Sequence, residues 1–177
     1  MNYLSRRRFV TALGAARLTV TPGWAHAGAG APRALRLDNL HTNEKLSVEY
    51  FAAGRYLPDA LAAVNHLLCD FRTGDVGEID PALLDLLHIL AATVGSQRTF
   101  RIICGYRSPA INETLRQRSN GVASRSLHLR GQAIDVRLAD VPLATLRDAA
   151  LSIRSGGVGY YAASDLVHVD TGRVRSW

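Results

Sequence analysis

Long apolar runs and cysteines are the two features that this sequence of 177 residues has little of. No apolar stretch approaches the roughly 18–20 residues that a membrane-spanning helix needs, which excludes an integral membrane protein. The two cysteines, Cys69 and Cys104, allow one intramolecular disulfide at most, so a disulfide scaffold is excluded as well. Free, buried cysteine is the commoner case, and the sequence leaves both interpretations open. With 47% apolar and 20% charged residues, the composition is typical of one globular domain.

Acidic residues are missing from the first 27 positions, which hold four of the 21 basic residues: Arg6, Arg7, Arg8 and Arg17. The formal net charge of +6 falls to +2, with 17 basic against 15 acidic residues, when this segment is set aside. A nearly neutral domain with 7% aromatic residues and no run of Lys or Arg lacks the basic surface of a nucleic-acid-binding protein. We therefore expect no nucleic-acid partner.

The N-terminal segment has the pattern of an export signal. Paired arginines in Ser5-Arg6-Arg7-Arg8-Phe9-Val10 precede a modest apolar run, and Ala25-His26-Ala27 offers small residues around a cleavage point. An amphipathic first helix is the alternative, but Pro22-Gly23 interrupts it. We predict a twin-arginine signal peptide over residues 1–27, a spacer over 28–32 and a single domain over 33–177. The predicted location is the periplasm.

The remainder of the chain alternates strand-like and helix-like segments without an internal repeat, which predicts an α+β domain. Its expected architecture is a small antiparallel sheet with helices packed on it. Proline is tolerated in the first turn of a helix, and each predicted helix begins beside one. The predicted strands are Ala34 to Leu40, Leu46 to Phe51, Thr99 to Cys104, Gln132 to Leu138, Val158 to Tyr161 and Leu166 to Asp170, and the predicted helices begin at Pro58, Pro81, Pro109 and Pro142.

Two histidines and one carboxylate are the candidates for chemistry. His128 lies in a loop before a strand that carries Asp135, and His168 lies on a later strand. If the two strands pair, the side chains of all three residues can converge. Zinc uses this ligand set in catalytic sites, because three protein ligands leave the fourth tetrahedral position for water. A structural zinc site is more often closed by four ligands rich in cysteine, and neither cysteine has metal-ligand spacing.

Four motifs carry a family resemblance: Gly105-Tyr106-Arg107-Ser108, Ser126-x-His128-x-x-Gly131-x-Ala133-x-Asp135, Gly156-Gly157-Val158-Gly159-Tyr160-Tyr161 and His168-Val169-Asp170-Thr171-Gly172. In this order they closely resemble the YcbK/MepK-type murein endopeptidases. These zinc peptidases share a fold with D-Ala-D-Ala carboxypeptidases and hedgehog signalling domains. The resemblance runs from about Arg33 to Trp177. It implies hydrolysis of amide bonds in peptidoglycan, with zinc held by His128, Asp135 and His168.

The same resemblance suggests roles for four more residues. Arg107 matches the family arginine that binds substrate or steadies the oxyanion, although a salt bridge that anchors its loop is the alternative. Ser126 is expected either to contact substrate or to fix its loop. The general base is assigned first to Asp165, because related zinc peptidases carry an acid three residues before the last histidine. Asp170, on the same strand face as His168, is the second candidate, or it orients a ligand.

The predicted activity is cleavage of peptide cross-links in peptidoglycan, including links between two diaminopimelate residues, so that the wall can expand. Stem peptides and cross-links are then the substrates, and a protein regulator that the sequence does not identify is expected to restrain the enzyme. Two alternatives stay open. One is a D,D- or L,D-carboxypeptidase that trims stem peptides. The other is a wall-binding domain of the same fold without catalysis.

Overall fold

The computed structural model describes residues 30–118 and 121–177. The predicted signal peptide, 1–27, and the first two residues of the predicted spacer lie outside the described residues. Two short 3-10 helices, Leu127–Arg130 and Ala162–Ser164, lie beside the functional cluster that is described below. The strands are β1 (Arg33–Asn39), β2 (Lys45–Ala52), β3 (Arg55–Tyr56), β4 (Phe100–Cys104), β5 (Ala133–Leu138), β6 (Gly157–Tyr161), β7 (Leu166–Asp170) and β8 (Arg175–Ser176); the helices are α1 (Pro58–Leu67), α2 (Pro81–Thr93), α3 (Pro109–Arg118) and α4 (Leu143–Ile153).

All strands in the described part of the chain belong to one sheet in the order β3-β2-β1-β4-β5-β7-β6-β8, so the predicted α+β class is confirmed. The sheet differs from the prediction because it has eight strands and is mixed rather than small and antiparallel. β1 runs parallel to β4, and β6 runs parallel to β8. The first parallel pair arises because α1 and α2 lie between β1 and β4 and supply the crossover. The second arises because β7 reverses the chain before β8 joins the free edge of β6.

The central antiparallel part of the sheet, β4-β5-β7-β6, is the part that positions the site. Strands β5 and β7 pair directly, with Ala133 opposite Asp170 and Asp135 opposite His168. Every residue of β7 is buried. The antiparallel ladder therefore places alternate residues of both strands on one covered face, as the period-two pattern predicted.

Helix α2 packs its leucines into the core beneath the sheet. Asp80 caps this helix, because its carboxylate accepts a hydrogen bond of 2.9 Å from the backbone N–H of Ala82, and Pro81 follows as the first helical residue. The leucines that α2 buries are Leu83, Leu84, Leu86, Leu87 and Leu90. The predicted helix start at Asp80-Pro81 is therefore confirmed. No helix of the described residues is long and apolar enough to cross a membrane.

A polar cluster ties α2 to the first three strands. The Asp85 carboxylate accepts hydrogen bonds from the hydroxyls of Tyr50 (2.9 Å) and Tyr56 (2.7 Å) and forms a salt bridge of 2.7 Å with Arg33. Partial burial raises the pKa of Asp85, but the three donors outweigh burial and hold that pKa below its ordinary value. Asp85 therefore stabilises the fold as a carboxylate.

Candidate metal centre and active site

Three nitrogen and oxygen atoms of the predicted ligand residues converge at a cavity on one face of the sheet. Asp135 comes from β5, His168 from β7 and His128 from the 3-10 helix before β5. His168 Nδ1 lies 2.8 Å from Asp135 Oδ1 and 3.3 Å from His128 Nε2. The distance from His128 Nε2 to Asp135 Oδ1 is 3.4 Å. All three residues line a cavity of about 520 Å³.

The backbone after His128 can make its turn only because residue 131 is glycine. Gly131 has φ of 62° and ends the 3-10 helix, and a Cβ atom there would lie 1.9 Å from the carbonyl oxygen of Glu78. The His128 ring is oriented by a hydrogen bond of 2.7 Å between Nδ1 and the carbonyl oxygen of Gly105. A carbonyl only accepts, so Nδ1 carries the hydrogen and Nε2 turns towards the cluster.

The ring of His168 is oriented in the same way by Asp170. His168 Nε2 lies 3.1 Å from Asp170 Oδ2, and this carboxylate is fully buried. Asp170 also accepts hydrogen bonds from the backbone N–H groups of Gly157 (3.0 Å) and Gly172 (2.8 Å) and from two nitrogens of Arg175. Burial raises the pKa of Asp170, but these donors outweigh burial and bring the pKa far below its ordinary value. An ionised Asp170 fixes the proton on Nε2, which leaves the Nδ1 lone pair facing the cluster.

The cluster fits a zinc ion. The two fixed ring orientations direct two nitrogen lone pairs and one carboxylate oxygen at a common point, and three such acceptors need a cation between them. Zinc forms bonds of about 2.0–2.1 Å to nitrogen and oxygen, which separates neighbouring tetrahedral ligands by about 3.3 Å. The separations of 3.3 and 3.4 Å match this spacing, and the separation of 2.8 Å between His168 Nδ1 and Asp135 Oδ1 is the hydrogen bond that a metal ion would replace.

The electrostatics of the cluster also favour a cation. Burial lowers the pKa of His128, but the facing carboxylate of Asp135 outweighs burial and raises it above the ordinary histidine value. Burial raises the pKa of Asp135, and the two histidines outweigh burial and lower it. Without a metal, positive charge is thus held as a proton on the His128 imidazole, and a metal ion bound at this cluster would displace that proton.

Cys104 is a neighbour of the cluster that the sequence did not place there. Its thiol lies within 4.8 Å of the ligand atoms of His128 and Asp135. Burial raises the pKa of this thiol, but the adjacent His128 outweighs burial and lowers it. Cys104 lies opposite Asp135 where β4 pairs with β5, so only knowledge of that register could have revealed the contact. Both Cys104 and Cys69 are free thiols in the structure.

Arg107 lines the cavity and has no carboxylate partner among residues 30–118 and 121–177. Its Nη1 donates to Asn112 Oδ1 at 3.4 Å and its Nη2 to the Cys104 sulfur at 3.5 Å, while its buried Nε has no partner in the described part of the chain. The loop that carries it is anchored separately, because Asp70 accepts hydrogen bonds from the backbone N–H and the hydroxyl of Ser108 at 2.8 and 2.9 Å. The guanidinium is therefore available to the cavity.

The remaining predicted residues lie in different places. Ser126 lines the cavity, and its carbonyl oxygen accepts a hydrogen bond of 3.1 Å from the Leu129 N–H in the turn that carries His128. Asp165 has φ of 50° at the end of the second 3-10 helix, and its exposed carboxylate forms a salt bridge with Arg137. Asp165 is not among the residues that line the cavity, although both of its chain neighbours, 164 and 166, are.

Comparison with known proteins identifies the family. The family model described as peptidoglycan L,D-endopeptidase MepK matches residues 27–177. The peptidoglycan L,D-endopeptidase MepK of Escherichia coli (strain K12) is 45% identical over 166 residues, which cover 94% of this chain and 91% of the relative, and the Shigella flexneri protein of that name has the same values. The probable peptidoglycan L,D-endopeptidase MepK of Haemophilus influenzae is 42% identical over 147 residues, which cover 82% of this chain and 79% of the relative. No solved structure matches the chain. The resemblance that the four motifs predicted is thus confirmed, and the chain belongs to the peptidoglycan L,D-endopeptidase MepK family.

Proposed function

We propose that this chain is a zinc-dependent endopeptidase that cleaves peptide cross-links of peptidoglycan, including those between two diaminopimelate residues, in expansion or remodelling of the wall. The observation that carries the proposal is the convergence of His128 Nε2, Asp135 Oδ1 and His168 Nδ1 within 3.4 Å of one another at an open cavity. The family relationship supplies the reaction class, because the relatives are named L,D-endopeptidases.

These three atoms would hold the zinc ion. When bound, zinc acts as a Lewis acid that polarises a carbonyl oxygen and makes water a stronger nucleophile at neutral pH. Asp170 keeps the proton of His168 on Nε2, and the carbonyl of Gly105 keeps the proton of His128 on Nδ1, so both rings present lone pairs to the metal. These two hydrogen bonds would therefore fix the orientation of both rings before the metal binds.

Arg107 is the residue that we assign to the substrate. A guanidinium with no carboxylate partner in the described chain, at the wall of the cavity, is suited to a carbonyl oxygen that gains negative charge or to a substrate carboxylate. Ser126 lines the same cavity, and we assign its hydroxyl to substrate contact.

Asp165 is the proposed general base, and Asp170 is the proposed positioning residue. Asp170 already accepts hydrogen bonds from His168, Arg175 and two backbone N–H groups, so none of its oxygens is free to take a proton from water. Asp165 lies between two residues that line the cavity, 164 and 166, and its partner Arg137 follows Asp135 by two residues on the same face of β5, about 7 Å along the strand. Rotation of the exposed Asp165 side chain away from Arg137 would bring its carboxylate to the cavity, where it would take a proton from water and return it to the leaving amine.

The sequence of the N-terminal segment supports a proposal on the cellular setting. We propose that residues 1–27 direct export through the twin-arginine pathway and that the domain acts in the periplasm, where its substrate lies. A protein regulator is expected there, because unrestrained cleavage of cross-links would weaken the wall. We also infer that the domain shares the fold of D-Ala-D-Ala carboxypeptidases and hedgehog signalling domains, as the motifs of the family suggest.

Zinc stoichiometry and muropeptide turnover test the proposal together. The wild-type protein is expected to bind one zinc ion and to convert cross-linked dimers to monomers, and His168→Ala is expected to lose both. His66→Ala is the matched control, because His66 lies exposed on α1 away from the cavity. Shortened monomers with intact dimers would instead establish a carboxypeptidase. Tight zinc binding without turnover of any muropeptide would establish a non-catalytic wall-binding domain.

A further inference from the structure

An indole ring forms part of the cavity wall beside the metal ligands. Trp177 lines the same cavity as His128, Asp135 and His168, and its ring centroid lies 5.2 Å from that of His168. The Trp177 side chain nevertheless stays 50% exposed. A large aromatic side chain that is half exposed next to a reactive centre marks a surface on which a ligand can bury apolar area.

The position of this ring is fixed from several sides. The Trp177 backbone continues the pairing of β8 with β6, with hydrogen bonds of 3.2 Å to the carbonyl of Val158 and 3.1 Å from the N–H of Tyr160. The indole Nε1 donates to the Tyr161 hydroxyl at 2.7 Å. The ring lies on the backbone of Gly159, where a Cβ atom would come within 2.8 Å of it. Because Gly159 has no side chain, the indole can pack on the backbone at this position, which pairs with His168.

Charge in the cavity indicates the chemistry of the ligand. Arg107, Arg125 and Arg175 line the cavity, against Asp135 as its lining carboxylate. Arg175 is already paired with the buried Asp170, and its guanidinium lies 4.8 Å from the centroid of the Trp177 ring. Arg107 and Arg125 lie on the wall as further cations. A ligand that fits this wall has a carboxylate for an arginine and a hydrocarbon segment for the indole.

We propose that Trp177 is the apolar wall of the substrate subsite next to the scissile bond, and that the methylene chain of a diaminopimelate side chain packs on the exposed part of its ring. The inference rests on the proposed function and names the part of the cross-link that this site recognises. Diaminopimelate has the required form, because three methylenes separate its two α-carbons and a carboxylate ends each side. The indole ring would then contact the methylenes of this residue, and an arginine would bind its carboxylate.

Steady-state kinetics on cross-linked stem-peptide dimers without sugar test the subsite. Burial of each methylene is worth about fourfold in affinity, so Trp177→Ala is expected to raise KM about 10-fold or more with little change in kcat. Trp177→Phe, which keeps an aromatic face, is expected to stay within about threefold of wild type. Val174→Ala is the matched control, because Val174 is exposed but does not line the cavity. Zinc affinity, measured by competition with a chelator, is expected to be unchanged in all three variants.

Tryptophan fluorescence gives a readout that does not depend on turnover. The sequence contains two tryptophans, Trp24 and Trp177, so the full chain with Trp24→Phe reports on Trp177 alone. Titration of this zinc-loaded protein with the stem tetrapeptide product is expected to shift the emission to shorter wavelength, because the methylenes displace water from the ring. A tetrapeptide that has lysine in place of diaminopimelate keeps the methylenes and loses the terminal carboxylate, and is expected to bind more weakly.

Three results would overturn the inference. An unchanged KM for Trp177→Ala would do so while the proposed function stands, provided that wild type cleaves the dimers. A loss confined to substrates that carry the glycan would show that a sugar ring, not a peptide side chain, lies on the indole. If wild type cleaves no muropeptide, the proposed function fails. In that case the subsite is tested separately by fluorescence, and it is refuted if the tetrapeptide leaves the Trp177 emission spectrum unchanged.

Discussion

Replacement of Asp170 by asparagine tests how the proposed metal centre is organised. In the structure Asp170 Oδ2 accepts from His168 Nε2 at 3.1 Å and from Arg175 Nη2 at 2.7 Å, while Oδ1 accepts from two backbone N–H groups and from Arg175 Nη1. Asparagine can keep the three contacts of Oδ1, but its NH2 group then replaces Oδ2 and directs its hydrogens at two donors, His168 Nε2 and Arg175 Nη2. His168 can relieve one conflict by moving its proton from Nε2 to Nδ1, which removes the lone pair that faces the metal site.

The size of the effect follows from these contacts. Residues that orient a metal ligand contribute about 10- to 100-fold to metal affinity, which is about 1.4–2.8 kcal/mol. Two charge-assisted hydrogen bonds of a fully buried carboxylate are also lost, at about 1.5–3 kcal/mol each. We therefore expect Asp170→Asn to weaken zinc binding at least 10-fold and to lower the free energy of unfolding of the metal-free protein by about 3–5 kcal/mol.

Two assays separate these effects, with Asp165→Asn as the control. Zinc affinity is measured by competition with a chelator, and stability by denaturant unfolding of the metal-free proteins. Asp165 is 63% exposed on its side chain, so its replacement is expected to leave zinc affinity unchanged and to abolish turnover if this residue is the base. Wild-type zinc affinity in a folded Asp170→Asn protein would refute the assignment of His168 Nδ1 as the ligand atom. Full turnover by Asp165→Asn would refute the base.

Three further predictions concern the fold and the substrate. Because the pKa of Asp85 is lowered in the folded protein, the unfolded state binds its proton first as pH falls, so the stabilisation is present above about pH 4 and is lost in stronger acid. Asp85→Asn should lower the free energy of unfolding by about 2 kcal/mol at pH 7 and make that free energy depend less on pH in the acid range. The same acid dependence in wild type and variant would contradict this. At Gly131 φ is 62° and an added Cβ atom would lie 1.9 Å from the carbonyl oxygen of Glu78, whereas at Gly54 φ is also positive but no atom lies within 4 Å of an added Cβ. Gly131→Ala should therefore lower Tm much more than Gly54→Ala. Equal Tm shifts would argue against the close approach of residue 131 to Glu78. Arg107→Lys should lower kcat/KM about 100-fold with one zinc ion still bound, because lysine lacks the planar fork, and wild-type kcat/KM would remove this residue from the reaction.

Sequence patterns alone were sufficient for the elements that depend on local rules. Proline and an N-cap aspartate mark the start of α2, and alternation along β5 and β7 assigns Asp135 and His168 to predictable faces. The motifs around His128 also identified the family, since short motifs in a fixed order are properties of the chain itself. The two-residue strands β3 and β8 and the parallel pairings were missed, because they depend on which sheet edge is free after the larger elements have packed.

Tertiary structure decided the environment of each candidate residue. Asp165 and Asp170 are similar in sequence terms, since each lies two or three residues from His168, yet one is an exposed partner of Arg137 and the other a buried acceptor of five hydrogen bonds. Cys104 lies near the ligand cluster, and Trp177 packs on the β6 backbone at Gly159. No pattern in the neighbouring sequence predicts either contact. The sequence by itself determined which residues are candidate metal ligands and on which strand face they lie, because alternation and turn chemistry act over a few residues. Strand register and the packing of distant segments determined which of them meet, because those depend on the burial of the whole sheet.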